Sequence, residues 1–474
     1  MKPGNLEFSV TGAGPRRRLR VAASSPSMLA GFEGTAAENA TGAVLDGPLS
    51  AANAAAVRLN VPSLRAQPIG LRTSAGVGDR LGLAAPGQVR AFRRFGAGIV
   101  PVFAQQSARE MDRLGRTPQQ VLDDATFGCL QAGWDGPVGA DADHLKSIGE
   151  IDRCLDAGFT LFTLDPGEHV RHIQGSVTAH QLEGLPWEGL EDDLGSMMRR
   201  YAGFSMPVGD GILRLSDGDV RQAAAKYGAA VAYTVSMYRH LMGRANYPVE
   251  VEVSVDETDD VTTLAEHIYL ATEMKRLGME WVSFAPRYVG SFEKGVDYIG
   301  DQQMLYASLM SHTHIARAFG PYKISLHSGS DKFSIYAGAV AATGGLVHLK
   351  TSGTSYLVAV GIASRFDPVL FRKIYAVSRD AYRGTRASYQ VSARLDRTPE
   401  PNEVPDERLR DLVMAFDSRQ ILHVGYGAVL RTDDGGASPL DAALRGLLAV
   451  HNDAYESELE AHIGRHLTPF SEQS

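Results

Sequence analysis

Short apolar segments alternate with longer amphipathic stretches from residue 68 onward. Nine segments have the apolar and β-branched composition of strands: 68–73, 98–103, 137–142, 159–165, 249–256, 280–285, 323–328, 345–350 and 420–425. Stretches with helical spacing lie between them, and several end on glycine, as helix C-termini often do: 144–158, 219–242, 261–278 and 301–320. Strands that alternate with helices predict a parallel sheet surrounded by helices.

The predicted fold is a TIM-type (β/α)8 barrel, for which the chain has one strand candidate too many. A doubly wound open sheet is the alternative, but it usually carries a glycine-rich dinucleotide turn after its first strand, and 76–82 (GVGDRLG) lacks that spacing. Residues 1–66 show no sustained period and are expected to form an N-terminal extension or small subdomain. Residues 67–474 would form the barrel domain, with extra helices at the C-terminus.

Composition narrows the class of protein. The 474 residues are 44% apolar and 22% charged, as in soluble globular proteins. The net charge of -8 and the absence of a basic patch argue against nucleic acid as a partner, and no window approaches the ~20 apolar residues of a membrane span. Only two cysteines occur, Cys129 and Cys154, which predicts neither a disulfide framework nor a thiolate metal site. A cytoplasmic protein is expected.

Polar residues recur on one face of the predicted strands. Side chains on a strand alternate between its two faces, so Ser325 and His327 share one face and Ile324 and Leu326 share the other. If the aliphatic face packs on the helices, the polar face points into the barrel, and its last residues reach the carboxyl-end rim where barrel enzymes have their active sites. The rim residues from five strands are Asp165, Asp256, Glu257, His327, His348, Lys350 and His423.

Histidines and carboxylates without cysteine suit a divalent ion, namely Mn²⁺, Zn²⁺, Co²⁺ or Ni²⁺, with an open coordination position. Such an ion polarises a ketone, and the remaining carboxylates can transfer protons. The segments 328–334 and 351–357 lead glycine and hydroxyl residues into helices and could hold a phosphate or a sugar carboxylate. Ordinary helix capping by Ser330, Asp331 or Thr354 is the alternative.

Several longer strings resemble the tagaturonate epimerase family of bacterial hexuronate catabolism. The resemblance runs from about residue 70 to 430 and leaves the first 65 residues unmatched. The matching segments, in order, are 76–91, 139–146, 159–170 (FTLFTLDPGEHV), 252–260, 281–301, 322–336 (YKISLHSGSDKFSIY), 348–357 and 421–430.

The resemblance implies a metal-dependent enzyme that interconverts tagaturonate and fructuronate, with relatives that act on fructose and tagatose. These ketose acids differ at C4, which is not adjacent to the C2 ketone, so simple enolisation cannot invert it. Our hypothesis is retro-aldol cleavage of the C3–C4 bond, followed by re-addition to the other face of the aldehyde. Proton exchange through C3 is the alternative. A hydride transfer would need a cofactor for which the sequence shows no motif.

We assign roles as predictions. The metal ligands would be Glu257, His327 and His348, with His423 as a substitute. Asp165 and Asp256 would transfer protons, and Lys350 would stabilise an alkoxide or hold the substrate carboxylate. The expected substrate contacts are Arg287, Ser330, Lys332 and Thr354, whereas the roles of Asp79, Arg80, Asp143 and His144 stay open.

Two other readings remain: a metal-dependent sugar aldolase or ketose isomerase on the same barrel, and a catalytically silent sugar-binding protein. The sequence leaves open the ion, whether the substrate carries a carboxylate or a phosphate, and whether the chain forms a homo-oligomer.

Overall fold

The N-terminal region folds as a small antiparallel sheet followed by a helix. The computed structural model describes residues 1–2, 4–40, 42–209, 211–351, 353–432 and 435–471. The first elements are β1 (Leu6–Thr11), β2 (Arg18–Ala23), β3 (Thr35–Asn39), β4 (Gly42–Gly47) and α1 (Ala51–Asn60), with the strand order β1-β2-β4-β3. Alternation along the strands buries Phe8, Leu19, Val21 and Leu45 in a core that is continuous with the core of the barrel. The expected N-terminal extension is therefore packed on the rest of the protein.

Eight parallel strands then close into a barrel, which confirms the predicted fold class. Its strands, in spatial order, are β5 (Ser74–Val77), β6 (Val100–Ser107), β7 (Gly139–Leu145), β8 (Leu161–Leu164), β11 (Glu250–Ser254), β12 (Ser283–Ala285), β13 (Lys323–Leu326) and β14 (Val347–Thr351). A separate hairpin, β9 (Ser205–Val208) with β10 (Gly211–Arg214), lies in the insertion between β8 and β11. The barrel closes where β14 pairs with β5, with His348 opposite Ser74.

Helices surround the barrel and continue beyond its last strand, as predicted. Those before β14 are α2 (Ala85–Phe95), α3 (Ala108–Leu114), α4 (Pro118–Ala132), α5 (Ile148–Ala157), α6 (Ala179–Glu183), α7 (Leu194–Tyr201), α8 (Asp217–Arg244), α9 (Leu264–Arg276), α10 (Gln302–Phe319) and α11 (Tyr336–Thr343). Those after β14 are α12 (Thr354–Phe366), α13 (Pro368–Thr385), α14 (Leu409–Met414), α15 (Phe416–Val424), α16 (Tyr426–Leu430), α17 (Pro439–Val450) and α18 (Asn452–Ser471). None of these helices, in the described ranges, is long and apolar enough to cross a membrane.

The four helices expected from apolar spacing are present. Their ends follow local chemistry, as α5 illustrates. Ser147 and Glu150 form a reciprocal capping box at its start, and Gly158 ends it in the left-handed conformation with φ 101°. These contacts involve neighbouring residues only, which is why the sequence alone located the helix.

The strand predicted at 420–425 is wrong. This segment lies in α15, where its residues from Gln420 to Val424 are buried. A short, continuously apolar run fits a buried helix as well as a strand. Because β14 already pairs with β5, the closed barrel offers no edge for a ninth strand. His423 is therefore not carried by a barrel strand.

The first strand also lies later than predicted. Residues 68–73 form a turn, in which the amides of Ile69 and Gly70 donate to the Glu250 carboxylate at 2.8 Å each. The strand is Ser74–Val77, whose sequence SAGV has little β propensity. Its small residues face a crowded interior: a β-carbon at Gly76 would lie 2.6 Å from the side-chain oxygen of Gln105.

The predicted division of the barrel strands into two faces is confirmed. Val251, Val253, Leu326 and Leu349 belong to the apolar core that the strands share with the surrounding helices. The opposite face is polar and lies inside the barrel, where Glu252 contacts side chains of β8 and β14. The barrel interior therefore positions a set of charged groups toward its carboxyl end.

Candidate active site

Lys350 on β14 lies at the centre of a buried carboxylate cluster. Its Nζ is 2.8 Å from Asp141 Oδ2, 2.7 Å from Asp143 Oδ1 and 2.8 Å from Glu252 Oε1. It also donates to Thr163 Oγ1 at 2.6 Å. Burial favours the neutral amine, but the three carboxylates outweigh it and raise the pKa of Lys350 well above its usual value. Lys350 is therefore cationic.

His327 follows β13 and lies between two carboxylates of the β11 region. Its Nε2 is 2.6 Å from Glu252 Oε1, and its Nδ1 is 3.2 Å from Asp256 Oδ1. Burial would lower the pKa of His327, but Asp256 and Glu252 raise it above its ordinary value. Burial would likewise raise the pKa of Glu252, yet Lys350 and His327 hold it well below its usual range. Two of the predicted residues, His327 and Asp256, are thus in direct contact.

His144, at the end of β7, completes this group from the opposite side of the barrel. Its Nε2 lies 3.1 Å from His327 Nδ1, and 3.9 Å from both Asp143 Oδ1 and Asp256 Oδ1. Its Nδ1 lies 2.9 Å from Asp165 Oδ2. The backbone φ of 51° is unusual for a residue other than glycine and turns the side chain inward from the strand end. Burial lowers the pKa of His144, but Asp143 and Glu257 raise it to about 10.

Glu257 borders the same space. The Arg109 guanidinium holds its two carboxylate oxygens at 2.7 and 3.2 Å, and Lys146 Nζ lies 4.0 Å away. Burial would raise the pKa of Glu257, but His144 and Arg109 lower it to about 2. His144, Asp165 and Glu257 offer ligand atoms within 4.8 Å of one another, as do Asp143, His144 and His327. Both groups contain His144.

Two of the predicted metal ligands lie outside these groups. His348 is one layer deeper in the barrel, where its Nδ1 is 2.8 Å from Ser74 Oγ and its Nε2 is 3.9 Å from Asp141 Oδ2. Burial lowers its pKa. His423 on α15 lies beside Arg80, whose guanidinium donates to the His423 backbone carbonyl at 3.0 Å. The structure brings neither histidine into contact with His327.

The predicted substrate contacts differ in how free their side chains are. Lys332 Nζ donates to three backbone carbonyls, those of Glu293, Val296 and Ser330, at 2.5–3.1 Å. Its side chain is fully buried, so this ammonium group has no donor left for a substrate. Thr354 Oγ1 donates to the Thr351 carbonyl at 2.9 Å, as a local helix-start contact, and Ser330 is buried.

Arg287 is different. It follows β12 at the carboxyl-end rim, and in the described part of the chain its guanidinium makes no side-chain hydrogen bond or ion pair, while its Nε is buried without a partner. A buried donor without a partner is unusual in a native protein. Arg287 is thus the predicted substrate contact with unused donors.

Several members of the site were not assigned a role from the sequence. Asp141 and Asp143 alternate with Ala140 and Ala142, which is the same polar-inward pattern that located His327, so a signal was present. Glu252 shares the face of Asp256 by the same argument. No sequence pattern singles out Arg109, which reaches Glu257 from the helix after β6.

Comparison with known proteins agrees with the fold. The chain matches a family model described as tagaturonate epimerase over residues 15–470, so the match includes most of the N-terminal sheet that the sequence resemblance left out. It is 40% identical over 415 residues to the tagaturonate/fructuronate epimerase of Thermotoga maritima, a match that covers 88% of this chain and 84% of the relative.

Solved structures of tagaturonate epimerases are also similar to this chain. The native crystal structure of fructuronate-tagaturonate epimerase from Cohnella laeviribosi is similar with a TM-score of 0.89 and 32% identity, over 99% of this chain and 95% of that chain. A crystal structure of the same Cohnella protein with one glycerol gives a TM-score of 0.88 and 31% identity over the same shares. The family match and the close sequence relative together establish that this chain belongs to the tagaturonate epimerase family.

Proposed function

We propose that this protein interconverts tagaturonate and fructuronate by inverting C4. The observation that carries the proposal is the convergence of His144, His327 and Asp256 at the carboxyl end of the barrel, in a chain of this family. The relatives from Thermotoga maritima and Cohnella laeviribosi are named for this activity. The site contains acids, bases and an anion-binding group, which are the functions that the reaction needs.

We further propose that a divalent ion binds between the two histidines. His144 Nε2 and His327 Nδ1 face each other at 3.1 Å, and a carboxylate oxygen of Asp143 lies 3.9 Å from His144 Nε2. This donor set suits Zn²⁺, Mn²⁺, Co²⁺ or Ni²⁺. Glu257 is the further carboxylate candidate. We leave His348 and His423 out of the set of ligands because their ring nitrogens do not face His144 or His327.

The charge balance of the site supports the binding of a divalent ion. Six carboxylates surround the site, those of Asp141, Asp143, Asp165, Glu252, Asp256 and Glu257. The lysine and arginine side chains that contact these carboxylates are Lys146, Lys350 and Arg109. The excess negative charge explains why the pKa values of both His144 and His327 are raised. One divalent ion would neutralise as much of this negative charge as two protons do, one on each imidazole ring.

When bound, the ion would supply Lewis-acid stabilisation of negative charge on the sugar oxygens. In the retro-aldol route the protein must take the proton of the C4 hydroxyl, so that the C3–C4 electron pair moves to C3 while C4 becomes an aldehyde. Asp256 fits this role better than Asp165. The Asp256 side chain is 16% exposed, whereas the Asp165 side chain is 2% exposed and its two oxygens contact His144 and the Gly167 amide.

Lys350 and Arg287 would have separate roles. The four oxygens around Lys350 Nζ leave its ammonium no free donor, so we propose that it balances the charge of the acidic cluster and fixes Glu252 and Asp143 in place. Arg287, whose guanidinium has unused donors, would bind the substrate carboxylate. The aldehyde fragment would then stay anchored by its carboxylate while its other face is presented to C3.

The test is an activity assay on metal-stripped protein, with Mn²⁺, Zn²⁺, Co²⁺ or Ni²⁺ added back and products followed by NMR in D₂O. We expect metal-restored inversion at C4 without deuterium in the product. Deuterium at C3 would contradict the retro-aldol route and favour proton exchange. Accumulation of three-carbon fragments would favour an aldolase. No turnover of tagaturonate or fructuronate with any ion would overturn the proposed function.

A further inference from the structure

The loop between β13 and α11 has an unusual backbone next to His327. Ser328 and Asp331 both have positive φ, 48° and 63°, although neither is glycine. Residues other than glycine rarely adopt this region, and such conformations persist where surrounding contacts impose them. The loop starts at the residue after His327, so its backbone is directly continuous with that of His327.

Asp331 is held by groups that are distant in the sequence. Its Oδ2 accepts from Arg419 Nη2 of α15 at 2.8 Å, and its Oδ1 lies 2.9 Å from His462 Nε2 of α18. Its backbone N–H donates to His466 Nε2, also of α18, at 2.9 Å. Asp331 is 4% exposed and His466 is 1% exposed. The last helix of the described chain therefore binds the loop that follows His327.

The cluster has the residue types of a metal site, but its hydrogen bonds indicate another role. His466 Nδ1 lies 2.9 Å from the His462 carbonyl and must donate to it, so Nε2 is the ring's acceptor and already receives the Asp331 amide. Burial and the neighbouring His462 lower the pKa of His466 to about 3, consistent with this neutral form. The Arg419 guanidinium on the Asp331 carboxylate also disfavours a cation.

A continuous set of contacts links this cluster to the active site. The His466 ring packs against Phe333 and Tyr336, with ring centres 4.8 and 5.7 Å apart. The Tyr336 hydroxyl donates to the Gly329 carbonyl. The Gly329 amide in turn donates to the Lys350 carbonyl at 2.9 Å. The loop is thus fixed at both ends, by α18 on one side and by the strand of Lys350 on the other.

We propose that His466 is a positioning residue for the reaction, and that its neutral imidazole, through the Asp331 amide, holds the 328–334 loop in the backbone conformation that places His327. This inference rests on the proposed role of His327. It assigns a function to the C-terminal helix, which contributes no residue to the groups around His144.

The test compares three variants. His466→Leu removes the acceptor and puts an apolar side chain of similar size in its place. His466→Gln offers a carbonyl oxygen that can accept the hydrogen bond from the same amide. Ile463→Ala is the matched control, because Ile463 lies on the same helix, is 1% exposed and belongs to the apolar core. Each variant is assayed for kcat, KM and melting temperature, and for amide hydrogen exchange across 328–334.

We expect His466→Leu to lower kcat at least tenfold with KM changed less than threefold, and to speed exchange in 328–334 at least tenfold. His466→Gln should restore kcat to within threefold of the parent. Ile463→Ala should lower the melting temperature without either effect. If His466→Leu does not fold, His466→Phe takes its place, because phenylalanine keeps an aromatic ring against Phe333 and Tyr336 but has no acceptor for the Asp331 amide, and it should lower kcat at least threefold.

Unchanged kcat and exchange in a folded His466→Leu would overturn the proposal, and so would an equal loss of kcat in Ile463→Ala. A parallel His327→Ala variant separates the two claims. If it is inactive while His466→Leu is fully active, the positioning role alone fails. If it is active, the proposed role of His327 fails, and the catalytic consequence of the loop contacts fails with it.

Discussion

At the residue scale, the site is organised around Lys350. Its ammonium group lies within 2.8 Å of oxygens from Asp141, Asp143 and Glu252 in a region that excludes water. Burying a charge costs several kcal/mol unless opposite charges compensate it, so each member of the cluster depends on the others. Two predictions concern the contrast between such compensated groups and Arg287, whose guanidinium has no hydrogen-bond or ion-pair partner among the described residues.

Lys350→Met should lower the free energy of unfolding by about 3–5 kcal/mol, because it leaves three buried carboxylates without their cation. Chemical denaturation measures this. Lys323→Met is the matched control: Lys323 is buried in the same barrel, but among the described residues its Nζ hydrogen-bonds only to Ser74 Oγ and the Arg72 carbonyl, at 3.0 and 3.4 Å. Lys323→Met should lower the free energy of unfolding less, by about 1–3 kcal/mol. Equal losses in both variants would contradict the central role of Lys350.

Arg287→Gln should raise KM for tagaturonate by roughly 10- to 100-fold, because a hydrogen bond to a charged group contributes about 1.5–3 kcal/mol. The inhibition constant of neutral tagatose should stay within about threefold, since tagatose has no carboxylate for the guanidinium. Lys332→Met serves as control and should lower stability without this selectivity. A uniform weakening of both ligands in Arg287→Gln would refute carboxylate recognition.

At the scale of elements, strand β5 shows why small residues are needed inside this barrel. Gly76 leaves room for the Gln105 amide, and Gln105 Nε2 donates to Asp143 Oδ2 at 3.3 Å. The strand was placed too early by sequence analysis because SAGV contains only one of the β-branched residues that mark strands, Val77. Its strand conformation comes from pairing with β6 and β14.

Gly76→Ala should therefore cost about 1–3 kcal/mol of stability, the usual range for overpacking a core, and should weaken metal binding by displacing Gln105 from Asp143. Gly361→Ala is the control, since Gly361 lies inside helix α12 and a β-carbon added there would have open space around it. That substitution should raise stability by about 0.5–1 kcal/mol. Urea unfolding and metal titration measure both effects. A Gly76→Ala protein as stable as the parent would contradict the packing argument.

At the scale of the whole molecule, the C-terminal helix α18 packs against α2, α11 and α12, and the candidate site combines groups from distant strands. Groups from the β7, β11 and β13 regions meet at one end of the barrel, so an ion bound there would contact elements that are far apart in the sequence. Binding at such a site stabilises the folded state as a whole, because the unfolded chain does not bring these ligands together.

Removal of divalent ions with a chelator should lower the melting temperature, and an added ion at 100 times its Kd should restore about 2.7 kcal/mol. Calorimetry with and without the ion measures this. His327→Ala should show little stabilisation by the ion. The control His314→Ala, on the exposed face of α10, should respond like the parent. A parent protein that no divalent ion stabilises would count against the proposed metal site.

The sequence by itself determined the barrel, its predicted flanking helices and the polar inner face that carries Glu252, His327 and Lys350. Those features depend on the strand period of two, on helix caps and on glycine ends, all of which act between residues close in the chain. Only the tertiary structure decided which polar residues meet. Closure of β14 on β5 left no strand position for His423, and the pairing of β7 with its neighbours placed His144 against His327.

The reason is that these contacts join residues far apart in the sequence. His144 and His327 are separated by 183 positions, and Asp331 and His466 by 135. No local pattern encodes such a distance, because it depends on how every intervening element packs. The residue types available for catalysis were therefore fixed locally, whereas their grouping into a site, and the fixing of the His327 loop by the last helix, came from the closed fold.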